Sequence, residues 1–448
     1  MIATGKVFLD FSLPNATTWF YFSALLAVGF FFKFTRFFSM RNLDVVAIYL
    51  LVPGLLLLLE NQSNWYGFLW LISVSSLFFL RCLWDLALVR RPALTANLNL
   101  AGLAWLAGAL FISLIAVAAG HPAIDSEPGH AETEPAKQAQ LQAEAMTGKV
   151  ANQIAGPESA NLDVRFLVGR CLTVLCHLAI VLGLIVIGLK HFQDLHAGIA
   201  AANFYMLLPY SYLLLPFNAL QVGQWYHVWP MALIIWAVAS YRKPTIAGVL
   251  MGLATVPVYF PVFSLPVWIS FYGRRGAGRF GAAFVLTVLS CLMVVAFLWW
   301  SNNGAWPRSV YSALSLPDWQ PWSEPQPGTP GFWNAVPGYW AYRLPVFIAF
   351  GAFVVATAFW PKPKNLGHLL ALSAAIFIGI QFWYADQGGV HVFWYLPLLL
   401  LLMFRPNLSD RFPPIINPES DWVRKFGRRL TRLAMWLLHV PNPPVQVG

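Results

Sequence analysis

The side chains able to do chemistry are few in this chain, and most fall at the edges of apolar runs. Asp386 and His391 close the short stretch D-Q-G-G-V-H, and Glu60 ends a leucine run. A carboxylate in such a place suits a general base or a metal ligand. Arg170, Arg308 and Arg343 stand at comparable boundaries, and a planar guanidinium fork suits a phosphate. Gln221, Gln224 and His227 open one further apolar run. Gathered on one surface, this set could hold an anionic headgroup and take a proton from a hydroxyl. Asp386 and Glu60 are then the candidate catalytic residues, and the arginines, glutamines and histidines the candidate binding residues.

Each member also has a plainer reading. Arg170 can snorkel to lipid headgroups. His177, seven residues on and on the same helix face, can be a hydrogen-bonded core histidine. Asp85 can pair with Arg81 one helical turn earlier and do nothing more. The motifs G-x-x-x-x-G-K-[ST], G-x-G-x-x-G after a strand, H-E-x-x-H and G-x-S-x-G are not found, so ATP-driven transport and soluble-type hydrolysis have no support. Cys82, Cys171, Cys176 and Cys291 show no C-x-x-C spacing and read as buried free thiols. No cofactor is implied; a divalent metal stays open.

The elements that must position these residues are membrane helices. The 448 residues are 58% hydrophobic and only 10% charged, which no water-soluble fold of this size accommodates. Many of the 21 tryptophans stand at the ends of apolar runs, where indoles meet the membrane interface. The net charge of +10 does not indicate nucleic acid, because the basic residues fall in short clusters between apolar runs. The fold expected is an all-α polytopic integral membrane protein with about eleven transmembrane helices. Residues 245–272 are interrupted by Pro257, Pro261 and Pro266 and are expected to form a re-entrant hairpin.

Lysine and arginine set the expected orientation. The clusters at Lys33–Arg41, Arg81–Arg91, Lys190, Arg242–Lys243, Arg274–Arg279, Lys362–Lys364 and from Arg405 onward belong in the cytoplasm. The N-terminus then lies outside and the C-terminus inside, in a multi-pass plasma or inner-membrane protein without a removable signal peptide. Four units follow. Residues 1–119 form an N-terminal four-helix segment, and 120–162 an outer polar loop lacking Phe, Trp and Tyr. Residues 163–405 form the main membrane domain with an aromatic outer loop at 301–343, and 406–448 a cytoplasmic tail. Within that tail 421–440 reads as an interfacial amphipathic helix, attracted to anionic lipids.

The run F-N-A-L-Q-V-G-Q-W-Y-H-V-W-P-M-A-L begins at Phe217, and Y-R-K-P-T-I-A-G-V-L-M-G-L-A-T-V-P-V-Y-F-P-V begins at Tyr241. With A-A-N-F-Y-M-L-L-P-Y before them and R-R-G-A-G-R after, they resemble the middle of the family-87-like glycosyltransferases of the GT-C superfamily. The matching positions are Asn218, Gly223, Gln224, Gly248 and Gly252; Val256-Pro257-Val258 departs from the lysine often found there. The resemblance implies a polytopic enzyme that moves a sugar from a polyprenyl-phosphate donor, as in mannosyltransferases, to a glycan or lipid acceptor outside. It also implies an acidic residue in the first outer loop, which here is Glu60. The alternatives are a non-catalytic membrane scaffold or assembly protein, and a transporter or flippase. The last is disfavoured by a single broken region and no internal repeat.

Overall fold

The computed structural model describes residues 16–61, 63–88, 94–120, 167–208, 225–256, 258–303, 319–325, 330–334, 338–386 and 388–415. Among them the structure is all-helical, with no strand. Five helices lie in the N-terminal segment: α1 (Ala16–Phe31), α2 (Met40–Tyr49), α3 (Leu51–Glu60), α4 (Trp65–Ala87) and α5 (Leu100–Gly120). Then come α6 (Leu167–Ile187), continued by a π-turn at Gly188–Phe192, α7 (Leu195–Leu207) and α8 (Trp225–Ala239). They are followed by α9 (Pro244–Thr255), α10 (Leu265–Tyr272), α11 (Ala277–Asn303), α12 (Arg343–Phe359), α13 (Leu366–Ile380) and α14 (Leu396–Phe404). The outer loop, the amphipathic tail helix and most of the aromatic loop lie outside the described residues.

Six of these helical stretches are long and apolar enough to cross a bilayer, among them α4, α5 and a joined α2–α3. Five further apolar helices are shorter, at 10–17 residues. The expected total of about eleven is therefore not reached by length. The reason is physical and local. Helix α13 rises about 23 Å and α14 about 14 Å, both short of a hydrocarbon core about 30 Å thick. Every residue of both helices but the half-buried His368 is buried in protein. The chain between them is mostly buried as well, the cover of protein that irregular backbone needs at membrane depth.

The proline-interrupted segment is a helical hairpin. Arms α9 and α10 are joined through a short 3-10 turn at Phe260–Ser264. Pro244 and Pro266 begin their helices and Pro261 begins the 3-10 turn, positions where a missing N–H breaks no bond. Both arms return to one end, where the Tyr272 hydroxyl donates to the Tyr241 carbonyl at 2.8 Å. Arm α9 lies very close to α11. A Cβ on Gly248 would meet the Phe280 carbonyl at 2.4 Å, and one on Gly252 would meet Thr287 Cβ at 2.8 Å. This small-x-x-x-small spacing lets two backbones approach.

The basic clusters gather at one end of the bundle, and Arg170 and Arg343 stand apart from them. Contacts there run from Leu94 to Met403, Leu366 to Arg411, and Arg275 to Pro413. At its centre is a buried ion chain. Arg81 donates two bonds to Asp44, at 2.8 and 2.9 Å, and a third to Asp85 at 3.1 Å. Arg405, just past α14, donates to the other Asp85 oxygen at 2.5 Å. The pair expected between Arg81 and Asp85 is thus present, within a larger set that joins α2, α4 and the chain beyond α14. The Asp85 side chain is fully buried and those of its partners are 8–12% exposed.

Removing one member of a buried ion set strands the others at a cost of about 3–5 kcal/mol. Asp85→Ala should lower the denaturation midpoint of the detergent-solubilised chain accordingly; an unchanged midpoint would show the ion chain to be dispensable. Gly248→Val should force α9 and α11 apart at about 1–3 kcal/mol, whereas valine at the uncrowded Gly281 should be silent in the same denaturation assay.

Candidate functional site

At the end away from the basic residues, three segments distant in sequence meet in one aromatic layer. The hairpin tip supplies Phe260 and Phe263, the aromatic loop supplies Trp319, and the turn after α13 supplies Trp383, Tyr384, His391 and Trp394. The His391 ring stacks on Trp394 at 4.3 Å and 11°. Trp394 stacks in turn on Phe260 at 4.7 Å and on Trp319 at 6.2 Å. Trp319 lies parallel to Phe263 at 6.1 Å and meets Tyr384 at 4.8 Å. Offset stacks and edge contacts are the geometries that aromatic quadrupoles favour.

The turn from 381 to 391 is held by its own polar groups. The buried Gln381 side chain accepts from the Gly389 backbone N–H at 3.0 Å. Gly389 needs its left-handed φ of 95° and packs against Leu71 and Ile72 of α4. His391 Nε2 lies 3.1 Å from the Asp386 carbonyl. A carbonyl can only accept, so Nε2 carries the proton and Nδ1 is the basic nitrogen. Asp386 itself is half-buried at the rim of the layer.

Arg343 begins α12 and is wholly buried. Its guanidinium donates to the Trp383 carbonyl at 3.0 Å and to the Ser323 carbonyl at 3.3 Å. It therefore ties the aromatic loop to the Asp386 turn. The Trp333 indole adds a second tie, donating to the Phe382 carbonyl at 3.1 Å. Phe332 stacks on Trp65 at the start of α4.

The structure thus brings together Asp386, His391 and Arg343. Glu60 ends α3 at the same end of the bundle and is exposed. Arg170 is half-buried near the start of α6. One face below it, His177 meets the Tyr205 hydroxyl at 2.8 Å and packs edge-on against Phe393, two residues past His391. Gln221, Gln224 and Arg308 lie outside the described residues, as do Asn218 and Gly223. His227 is placed only as a helical position in α8. Gln381 and Trp394 were not among the expected site residues. The signal for Gln381 is a lone amide inside an otherwise apolar run; Trp394 carries none beyond its residue type. Among the described residues no three His, Cys, Asp or Glu side chains converge as a metal ion would need.

No family model matches the chain, and neither a curated protein nor a solved structure matches it.

A phosphate ligand and a structural tie differ in what their loss does. With Arg343 bonded to two carbonyls, Arg343→Ala should reduce folded protein in the membrane and open the chain between Trp319 and Trp333 to protease. Normal yield with an intact loop would return Arg343 to the role of a ligand.

Proposed function

We propose that the chain is a membrane glycosyltransferase that moves a sugar from a polyprenyl-phosphate donor to a glycan or lipid acceptor at the outer membrane face. One observation carries the reading. The hairpin tip, Trp319 and the Asp386–His391 turn converge at the end opposite the basic residues. Basic loops mark the cytoplasmic side, so this convergence lies at the outer boundary, with the N-terminus outside and the C-terminus inside. The sequence resemblance falls on the hairpin and the helix before it, and so supports the same place.

The chemistry assigned to each residue is simple. Asp386 accepts the proton of the acceptor hydroxyl while that oxygen bonds to the anomeric carbon. The bond from that carbon to the phosphate oxygen breaks, and the polyprenyl phosphate leaves with its electron pair. Arg170 neutralises the phosphate, and the exposed Glu60 is the alternative base. Gln221, Gln224, His227 and Arg308 complete the proposed binding set. Indole faces of the aromatic layer pack on the sugar ring. The scheme as written proceeds without a divalent metal. Anionic lipids hold the tail helix at 421–440.

The complete burial of His391 and Arg343 favours a second reading. Both are engaged in holding the layer together, as they would be in a non-catalytic assembly protein. A turnover assay separates the two. The full chain in liposomes, supplied with radiolabelled polyprenyl-phosphate hexose and an alkyl glycoside, should form labelled product. Asp386→Asn should slow this about 10²–10⁴-fold, the usual contribution of a general base, with folded protein unchanged. Equal rates for Asp386→Asn and the parent would move the base to Glu60, and no product from the parent would favour the assembly protein.

A further inference from the structure

The turn between α1 and α2 stands at the basic end and has the sequence F-F-K-F-T-R-F-F-S-M. Three of its phenylalanines face outward: Phe34 is 69% exposed, Phe37 63% and Phe38 88%. Lys33 and Arg36 are exposed between them. Among the described residues no carboxylate lies within ion-pair distance of either cation.

This turn is built, not slack. Asn42 is 1% exposed and lies beneath it. Its side-chain oxygen accepts from the Lys33 N–H at 2.8 Å. Its amide nitrogen lies 3.0–3.1 Å from the carbonyls of Lys33, Arg36 and Phe37. Ser39 caps α2 by accepting from the Asn42 N–H. The rings also brace one another: Phe32 meets Phe34 and Phe37, and Phe37 meets Phe38, at 5.2–5.3 Å. Asn97 fixes the end of α1 by donating to the Gly29 and Phe32 carbonyls. Arg41, by contrast, is turned inward onto Phe31 and Thr95 and is not available.

We infer that the Lys33–Phe38 turn is a binding site for anionic phospholipid. The turn joins two apolar helices, so it sits at the height of the headgroups. Exposed phenyl rings at that height enter the upper acyl layer. The two cations then lie level with the phosphates, each contributing attraction to negatively charged lipid. Because Asn42 fixes the backbone, little ordering cost is added on binding. The site is separate from the proposed transfer centre and does not depend on it.

The test uses the full chain in mixed detergent micelles, with phosphatidylglycerol and phosphatidylcholine as probes and retained lipid counted by native mass spectrometry. The parent should retain phosphatidylglycerol in preference to phosphatidylcholine. Lys33→Gln with Arg36→Gln should cut that preference roughly ten- to thirtyfold, while leaving phosphatidylcholine retention unchanged. The basic residues of the tail are intact in this variant, so the drop reports the turn alone. Replacing Phe34, Phe37 and Phe38 by serine should weaken retention of both lipids. An unchanged preference in the Lys33/Arg36 variant overturns the inference, and capture of an acidic protein in place of lipid overturns it too.

Discussion

The constraint on which the structure depends is that no water is present at membrane depth to satisfy a broken helix. Two central helices, α13 and α14, are shorter than a hydrocarbon core about 30 Å thick, and so are the 12- and 8-residue arms of the hairpin. A helix that ended at that depth would leave polar backbone unsatisfied. The structure answers by placing these interruptions against one another. Phe260 of the hairpin tip stacks on Trp394 of the turn after α13. Gln381 takes the Gly389 N–H, and Arg343 takes two carbonyls. Longer helices such as α4 and α11 surround them and face lipid with exposed apolar side chains, among them Leu77, Leu80, Leu289 and Met293. A layer of irregular, aromatic, polar-edged chain within a ring of helices is where a membrane protein can hold a ligand partly in lipid. That is why the transfer reading is placed on this layer.

Much of this was legible in residue patterns. Apolar runs gave the helices, and three prolines marked the hairpin. The basic clusters fell at one end, and Arg81 paired with Asp85 as a one-turn spacing requires. The places where the reading stopped have physical causes. Hydropathy cannot see where a helix ends when the chain beside it is equally apolar, as at Phe382–Ala385 after α13 and Val392–Tyr395 before α14, so both were expected to be full spans. Asp44 and Arg405 join Asp85 from far along the chain, and contacts of that kind have no periodicity. Arg343 was expected to be a ligand for its guanidinium; that it also donates to the Trp383 and Ser323 carbonyls depends on chain far away in sequence. Gly248 and Gly252, singled out by resemblance, prove to have a packing reason in the approach of α11.

The two ends of the bundle are stabilised by opposite means. At the basic end, charge is buried and answered by charge, with Asp85 between two arginines. At the other end the same task falls to rings. His391, Trp394, Phe260 and Trp319 form a stack in which polar atoms are confined to the edges. A stack resists shear weakly and compression strongly, so this end can admit small sliding of the hairpin tip where the ion chain admits none.

The bond from Arg405 to Asp85 spans 320 residues, and this bears on how the chain is made. Asp44 and Arg81 emerge early from the ribosome and can neutralise one another as the first helices partition from the translocon. Asp85 gains Arg81 at the same stage but its second arginine only 320 residues later. Through that interval one guanidinium, that of Arg81, answers two carboxylates, Asp44 and Asp85.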